Sequence, residues 1–140
     1  MSASAALSIP RLSEDELLHW LALRLVPGLG TRKAVTLLER FRTPMALFRA
    51  SVSELEAAGL SPGVSRAINS GCTFEDAATQ QDRIKATGTT LVPVTDPVYP
   101  EKLRGILDPP TLLFCRGDLA LLASISVAVV GTRKPTPYGM

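Results

Sequence analysis

The chain has 140 residues, of which 46% are hydrophobic and 20% charged, a composition that excludes a disordered or fibrous protein. The formal net charge is only +2, so a nucleic-acid partner would have to be held by local basic clusters rather than by an overall field. No signal-peptide pattern is present, and no apolar run reaches the roughly 20 residues that cross a bilayer. The two cysteines have no metal-ligand spacing, so we expect a cytoplasmic protein without membrane contact.

The sequence pattern of the first part of the chain predicts helices. Residues 1–12 lack a clear period and predict a flexible N-terminus, whereas residues 13–88 predict a small all-helical domain. Ser13 and Glu16 have the spacing of a capping box and predict the start of the first helix. Further helix starts are predicted at Thr31, Thr43–Pro44, Ser53 with Glu56, Ser61–Pro62 and Phe74, with the last helix ending at Gly88.

The second part, residues 89–140, changes to β-type runs separated by proline-rich turns. We predict strands at Thr90–Val94, Thr111–Cys115 and Val127–Val130, with a short helix between the first two. The fold class is therefore α followed by α/β, the second domain being the opening of a parallel sheet. Because the last strand is apolar and few residues follow it, we expect this sheet to be truncated in the chain.

The connection between the first two helices is the first candidate binding motif. Gly28-Leu29-Gly30 between two helices is typical of a helix-hairpin-helix, in which glycines and the amides of the second helix approach a DNA phosphate. The residues of this possible secondary contact are Gly28, Gly30, Thr31, Arg32 and Lys33. A tight connection closing a small bundle is the alternative interpretation. Residues 55–68 resemble a degenerate second hairpin.

The second candidate is the turn that follows the predicted third strand, Gly131-Thr132-Arg133-Lys134. A glycine, a hydroxyl and two cations at the carboxyl end of a strand predict an anion-binding strand-to-helix turn. The alternative is an ordinary connection after a buried strand. Neither dinucleotide-binding glycines nor a nucleoside triphosphate loop is present, so we predict no cofactor.

Other chemistry-bearing residues give weaker signals. His19 has no second ligand nearby in sequence, and Trp20 beside it is predicted to be a core anchor. Asp96, Asp108 and Asp118 are scattered turn and cap residues. No nucleophile with a neighbouring base and no metal site is predicted, so we expect no enzymatic activity.

Together these motifs resemble the DNA-processing protein A family, also called DprA or Smf. The resemblance extends from about Leu17 to Met140 and rests on the order of four segments. They are the hairpin at Val26–Ala34, the turn region Thr95–Leu103, the segment Asp108–Asp118 and the strand with its turn, Val127–Arg133.

The resemblance implies a sterile-alpha-motif-like helical domain joined to an extended Rossmann fold. It also implies a protein that binds and protects single-stranded DNA and loads the RecA recombinase onto it during natural transformation. Gly131, Thr132 and Arg133 would line the DNA phosphate pocket, with Lys134 as a neighbour. Thr132 replaces a common serine and preserves the hydroxyl. A homodimer is expected for the full-length protein, and its dimer and RecA surfaces would lie beyond Met140.

Two alternatives remain open from the sequence. One is a Rossmann-type enzyme that hydrolyses nucleotides, related to nucleoside-phosphate phosphoribohydrolases. The other is a helical module, residues 13–88, that binds duplex DNA or a protein by itself.

Overall fold

The computed structural model describes residues 11–134 and 136–139. Most of the predicted flexible N-terminus, residues 1–10, lies outside this range, as do Pro135 and Met140. The helices are α1 (Glu14–Arg24), α2 (Thr31–Phe41), α3 (Pro44–Arg49), α4 (Val52–Ala57), α5 (Pro62–Ser70), α6 (Phe74–Thr87) and α7 (Glu101–Arg104). The strands are β1 (Thr90–Pro93) and β2 (Leu112–Cys115), and 3-10 turns cover Leu119–Ala123 and Pro137–Gly139.

Local capping residues fix most of the helix starts. At α1 the Ser13 hydroxyl accepts from the Glu16 amide at 3.2 Å, and the Glu16 carboxylate accepts from the Ser13 amide at 2.8 Å. The Ser13 amide, which donates to the carboxylate, and secondly the neighbouring Ser13 hydroxyl hold the pKa of Glu16 below its ordinary value. Thr43 and Ser61 cap α3 and α5 as predicted, each followed by a proline in the first turn.

Two predicted caps are wrong by one or two positions. The N-cap of α2 is Gly30, in an extended conformation, and Thr31 is the first helical residue. The capping box of α4 joins Ser51 to Glu54. The predicted pair two residues further along has the same Ser-x-x-Glu spacing, so spacing alone could not choose between them.

The helices surround a core to which α1 contributes most. Trp20, the predicted core anchor, is 5% exposed, and the three residues that follow it in α1 are also buried. Helix α1 packs against α3 and α6. The Thr73 hydroxyl, buried at the start of α6, donates to the Ala22 carbonyl at 2.8 Å. His19 lies against the rings of Phe48 and Phe74 in this packing.

The sheet differs from the prediction, because β1 and β2 pair antiparallel and not parallel. Thr90 pairs with Cys115 and Pro93 with Leu112 at the two ends of the ladder. A parallel pair needs a long crossover, usually a full helix. Here α7 has only four residues, and the proline-rich turns around it bring the chain back in the opposite direction.

The predicted third strand, Val127–Val130, is also wrong for the residues described. The segment has no strand conformation, and its valines at 127, 129 and 130 are 89%, 95% and 90% exposed. Strands exist through pairing with a neighbour, and no backbone hydrogen bond joins this segment to another described residue. Apolar sequence therefore marks a segment with high β-propensity but does not by itself make a strand.

Residues of the sheet and of the helices share one buried cluster. Val92, Tyr99 and Leu112 are 2%, 1% and 4% exposed and belong to the same cluster as Leu21 and Leu47. The sheet is therefore seated on the helical part of the chain, whereas the domain boundary near residue 88 stays a prediction. Across residues 11–134 and 136–139, no helix is both long and apolar enough to cross a membrane.

Candidate nucleic-acid interface

The turn Gly131-Thr132-Arg133-Lys134 lies in irregular chain and is exposed at each of its residues. It follows the exposed segment that was predicted to be a strand, and it precedes the 3-10 turn at Pro137–Gly139. Within the part of the chain that the structure describes, no heavy atom beyond its chain neighbours lies within 4 Å of where a Cβ on Gly131 would stand. The backbone here is therefore open to close approach by a ligand, and the cationic side chains beside it are accessible.

The helical hairpin is formed at the predicted residues. Gly28 has φ +77°, a conformation that L side chains rarely adopt, and it turns the chain between α1 and α2. A Cβ on Gly28 would stand 3.2 Å from Cγ2 of Val64 in the first turn of α5, so the turn is also tightly packed. Both local conformation and space therefore require glycine at this position.

The start of α2 carries the other predicted hairpin residues. Gly30, the N-cap, supplies no side chain, and the first turn of α2 contains no acidic residue. Arg32 and Lys33 in that turn are exposed. The amides and the positive end of the helix dipole are thus accompanied by two cations, a combination that favours an anion.

A second hairpin joins α4 to α5, where the sequence suggested a degenerate copy. Gly59 has φ +94°, and the Leu60 amide donates to the Leu55 carbonyl at 3.2 Å. The Ser61 hydroxyl then caps α5. Gly28 and Val64 bring the two helix connections into contact, so the two hairpins lie side by side.

Two contacts between the first hairpin and the β-region were not predicted. The Thr31 hydroxyl donates to the Asp108 carboxylate, which places a negative charge at the first turn of α2. The Arg24 guanidinium, at the end of α1, lies 5.1 Å from the centroid of the Phe114 ring in β2. Neither contact could be predicted from a local sequence pattern, because each joins residues more than seventy positions apart along the chain.

Hydrogen bonds from two side chains, Arg104 and Tyr99, hold the segment between β1 and β2, and we call this pair the polar clasp. Arg104 donates from Nε to the Val94 carbonyl at 3.0 Å and from Nη2 to the Asp96 carbonyl at 2.9 Å. The Tyr99 hydroxyl donates to the Pro110 carbonyl at 2.7 Å, and burial raises the pKa of this phenol. This polar clasp fixes the path of the chain that carries Asp108 toward α2.

No group of three or more His, Cys, Asp or Glu within the described ranges could hold a metal ion. The structure does not join the Gly131–Lys134 turn to the hairpin through any described hydrogen bond or ion pair.

Comparison with known proteins finds similarity in the second part of the chain. The family model for DNA recombination-mediator protein A matches residues 90–140. The DNA processing protein DprA of Bacillus subtilis (strain 168) is 43% identical over 53 residues, which are 37% of this chain and 18% of that protein. The match thus spans less than a fifth of the relative's length, and no solved structure is significantly similar. Residues 90–140 are therefore similar in sequence to the DNA recombination-mediator protein A family.

Proposed function

We propose that the chain is part of a recombination mediator that binds single-stranded DNA without sequence preference, and that it is not an enzyme. The observation that carries this proposal is the Gly131–Lys134 turn. It is exposed, its glycine backbone is open, and it lies within the residues that match the family.

The chemistry of the turn suits a phosphate better than a base. The Arg133 guanidinium can hold two phosphate oxygens at once, and Lys134 adds a point charge. The Thr132 hydroxyl and the open backbone at Gly131 supply shorter-range donors. Such groups bind the repeating backbone of DNA and carry no sequence information.

The helical hairpin is proposed as a secondary DNA contact through Gly28, Gly30, Thr31, Arg32 and Lys33. Its support is the first turn of α2, which has no side-chain cap and bears two exposed cations. The Asp108 carboxylate accepts a hydrogen bond from Thr31 at this turn, so a DNA phosphate would have to displace it or bind beside it. We therefore rank the hairpin below the Gly131–Lys134 turn.

The remaining properties are proposed from the similarity of residues 90–140 to the family. They are protection of incoming DNA, loading of RecA during natural transformation, homodimerisation of the full-length protein, a cytoplasmic location and no cofactor. The sterile-alpha-motif-like helical domain and the Rossmann-like completion of the second domain belong to the same proposal.

The test is the affinity of the chain for a fluorescent oligothymidine at fixed salt. Arg133→Ala should weaken binding several-fold, whereas Arg83→Ala, which removes an exposed cation from α6, should change it little. Unchanged affinity of Arg133→Ala would remove the turn from the proposed interface. Hydrolysis of a nucleotide by the chain would instead favour the enzyme alternative.

A further inference from the structure

Phe114 is an exposed aromatic residue on a sheet face that is otherwise buried. Its neighbour on the same face, Leu112, is 4% exposed, and Leu91, directly opposite on β1, is 8% exposed. Phe114 itself is 42% exposed. Its inner part thus rests against the sheet while a large part of the ring remains accessible to solvent.

A cation lies beside this ring. The Arg24 guanidinium is 5.1 Å from the ring centroid and is brought there by the last turn of α1. Arginine and an aromatic ring together form the usual surface on which proteins stack unpaired nucleobases, because both groups present flat faces and the cation also attracts the phosphate.

A second exposed cation, Arg116, lies two residues beyond Phe114 in sequence. Neither Arg24 nor Arg116 forms an ion pair within the described parts of the chain. The acidic residues closest to Phe114 in sequence are both hydrogen-bonded, since Asp108 accepts from Thr31 and Asp118 accepts from the Ala120 amide at 2.9 Å.

We propose that Phe114, flanked by Arg24, is a stacking platform for one nucleobase of a DNA single strand. The inference rests on the proposed function and adds a base-binding point to the phosphate contacts at Gly131–Lys134. The occupant is an unpaired base, because the ring supplies a flat apolar surface and the cations around it complement a polyanion. A duplex would not expose such a base face.

The experiment compares two strands of equal length, an oligothymidine and an abasic deoxyribose-phosphate strand, which differ only in having bases. Phe114→Leu keeps an apolar side chain against Leu91 but removes the aromatic face. We expect it to weaken oligothymidine binding about tenfold and to leave abasic binding unchanged. Phe114→Trp, which keeps a π face, should retain the preference for the strand with bases.

The matched control is Phe41→Leu. Phe41 also lies beside an arginine, with the Arg40 guanidinium 5.6 Å from its ring centroid. It is less exposed than Phe114 and lines a shallow depression together with Arg49 and Glu54, so its ring presents less free surface to a base. This variant should bind both strands as the unaltered chain does.

Three outcomes would overturn the inference. They are an equal loss on both strands in Phe114→Leu, no loss on either strand, or loss of the base preference in Phe114→Trp. If Arg133→Ala weakens binding while Phe114→Leu does not, the stacking platform fails and the proposed function stands. If the unaltered chain binds neither strand, both proposals fail.

Discussion

Tyr99 is one of the single residues that stabilise residues 90–140, the region that matches the family model. Tyr99 is 1% exposed, its hydroxyl donates to the Pro110 carbonyl, and its ring lies 5.4 Å from the Arg104 guanidinium. Arg104 in turn donates to the carbonyls of Val94 and Asp96. The two side chains therefore satisfy backbone groups on both sides of α7 that would otherwise need water.

Tyr99→Phe removes the hydroxyl but keeps the ring. The Pro110 carbonyl then loses its partner, and the free energy of unfolding should fall by about 1–2 kcal/mol. Urea unfolding followed by circular dichroism measures this change. Tyr138→Phe is the control, because Tyr138 is fully exposed and its replacement should leave stability unchanged. Equal stability of the two variants would show that the clasp does not contribute.

At the level of elements, helix starts were predictable to within two residues, whereas strand pairing was not. Ser13, Thr43 and Ser61 act within three residues of their own positions, so the sequence around them is sufficient. The antiparallel sheet depends on how the chain returns after α7, and Val127–Val130 depends on a partner strand that no described residue provides. Local sequence patterns determine neither the direction of strand pairing nor the presence of a partner strand.

The same distinction applies to the candidate site. The glycines of both predicted motifs lie in exposed connections, and the cations that follow them are exposed, as their sequence pattern predicts. The contacts of Phe114 with Arg24 and of Asp108 with Thr31 join distant parts of the chain. Strand alternation places Phe114 on the same face as the buried Leu112, so an exposed ring could not be expected from the strand pattern.

The hairpin turn offers a prediction at this scale. Gly28→Ala places a Cβ at φ +77° and 3.2 Å from Val64, so it should lower the free energy of unfolding by about 1–2 kcal/mol. Gly63→Ala is the matched control within α5, since nothing lies within 4 Å of its Cβ position. It should be neutral or stabilise by up to about 1 kcal/mol. Thermal unfolding of both variants measures these changes. Unchanged stability of Gly28→Ala would contradict the described turn.

At the scale of the whole molecule, the chain combines a well-packed centre with an exposed apolar segment. Helices and sheet share one buried cluster, whereas Ile125, Val127, Val129 and Val130 lie in solvent. A short, uncharged run of β-branched residues of this kind is prone to pair with another chain.

We therefore expect the 140-residue chain to self-associate in solution. Sedimentation velocity should show species larger than a monomer that increase with concentration. Replacing Val127 and Val129 by Lys should shift the distribution toward monomer, because like charges oppose edge pairing. A monodisperse monomer for the unaltered chain at all concentrations would contradict this expectation.

The central claim is that the chain holds the phosphates of single-stranded DNA through the Gly131–Lys134 turn. The most direct measurement is the dependence of oligothymidine affinity on salt concentration for the unaltered chain and for Arg133→Ala. For single strands, each phosphate contact contributes about −0.7 to the slope of log K against log salt. We expect a negative slope for the unaltered chain and a slope shallower by about 0.7 for Arg133→Ala. Identical slopes and affinities for the two proteins would contradict it.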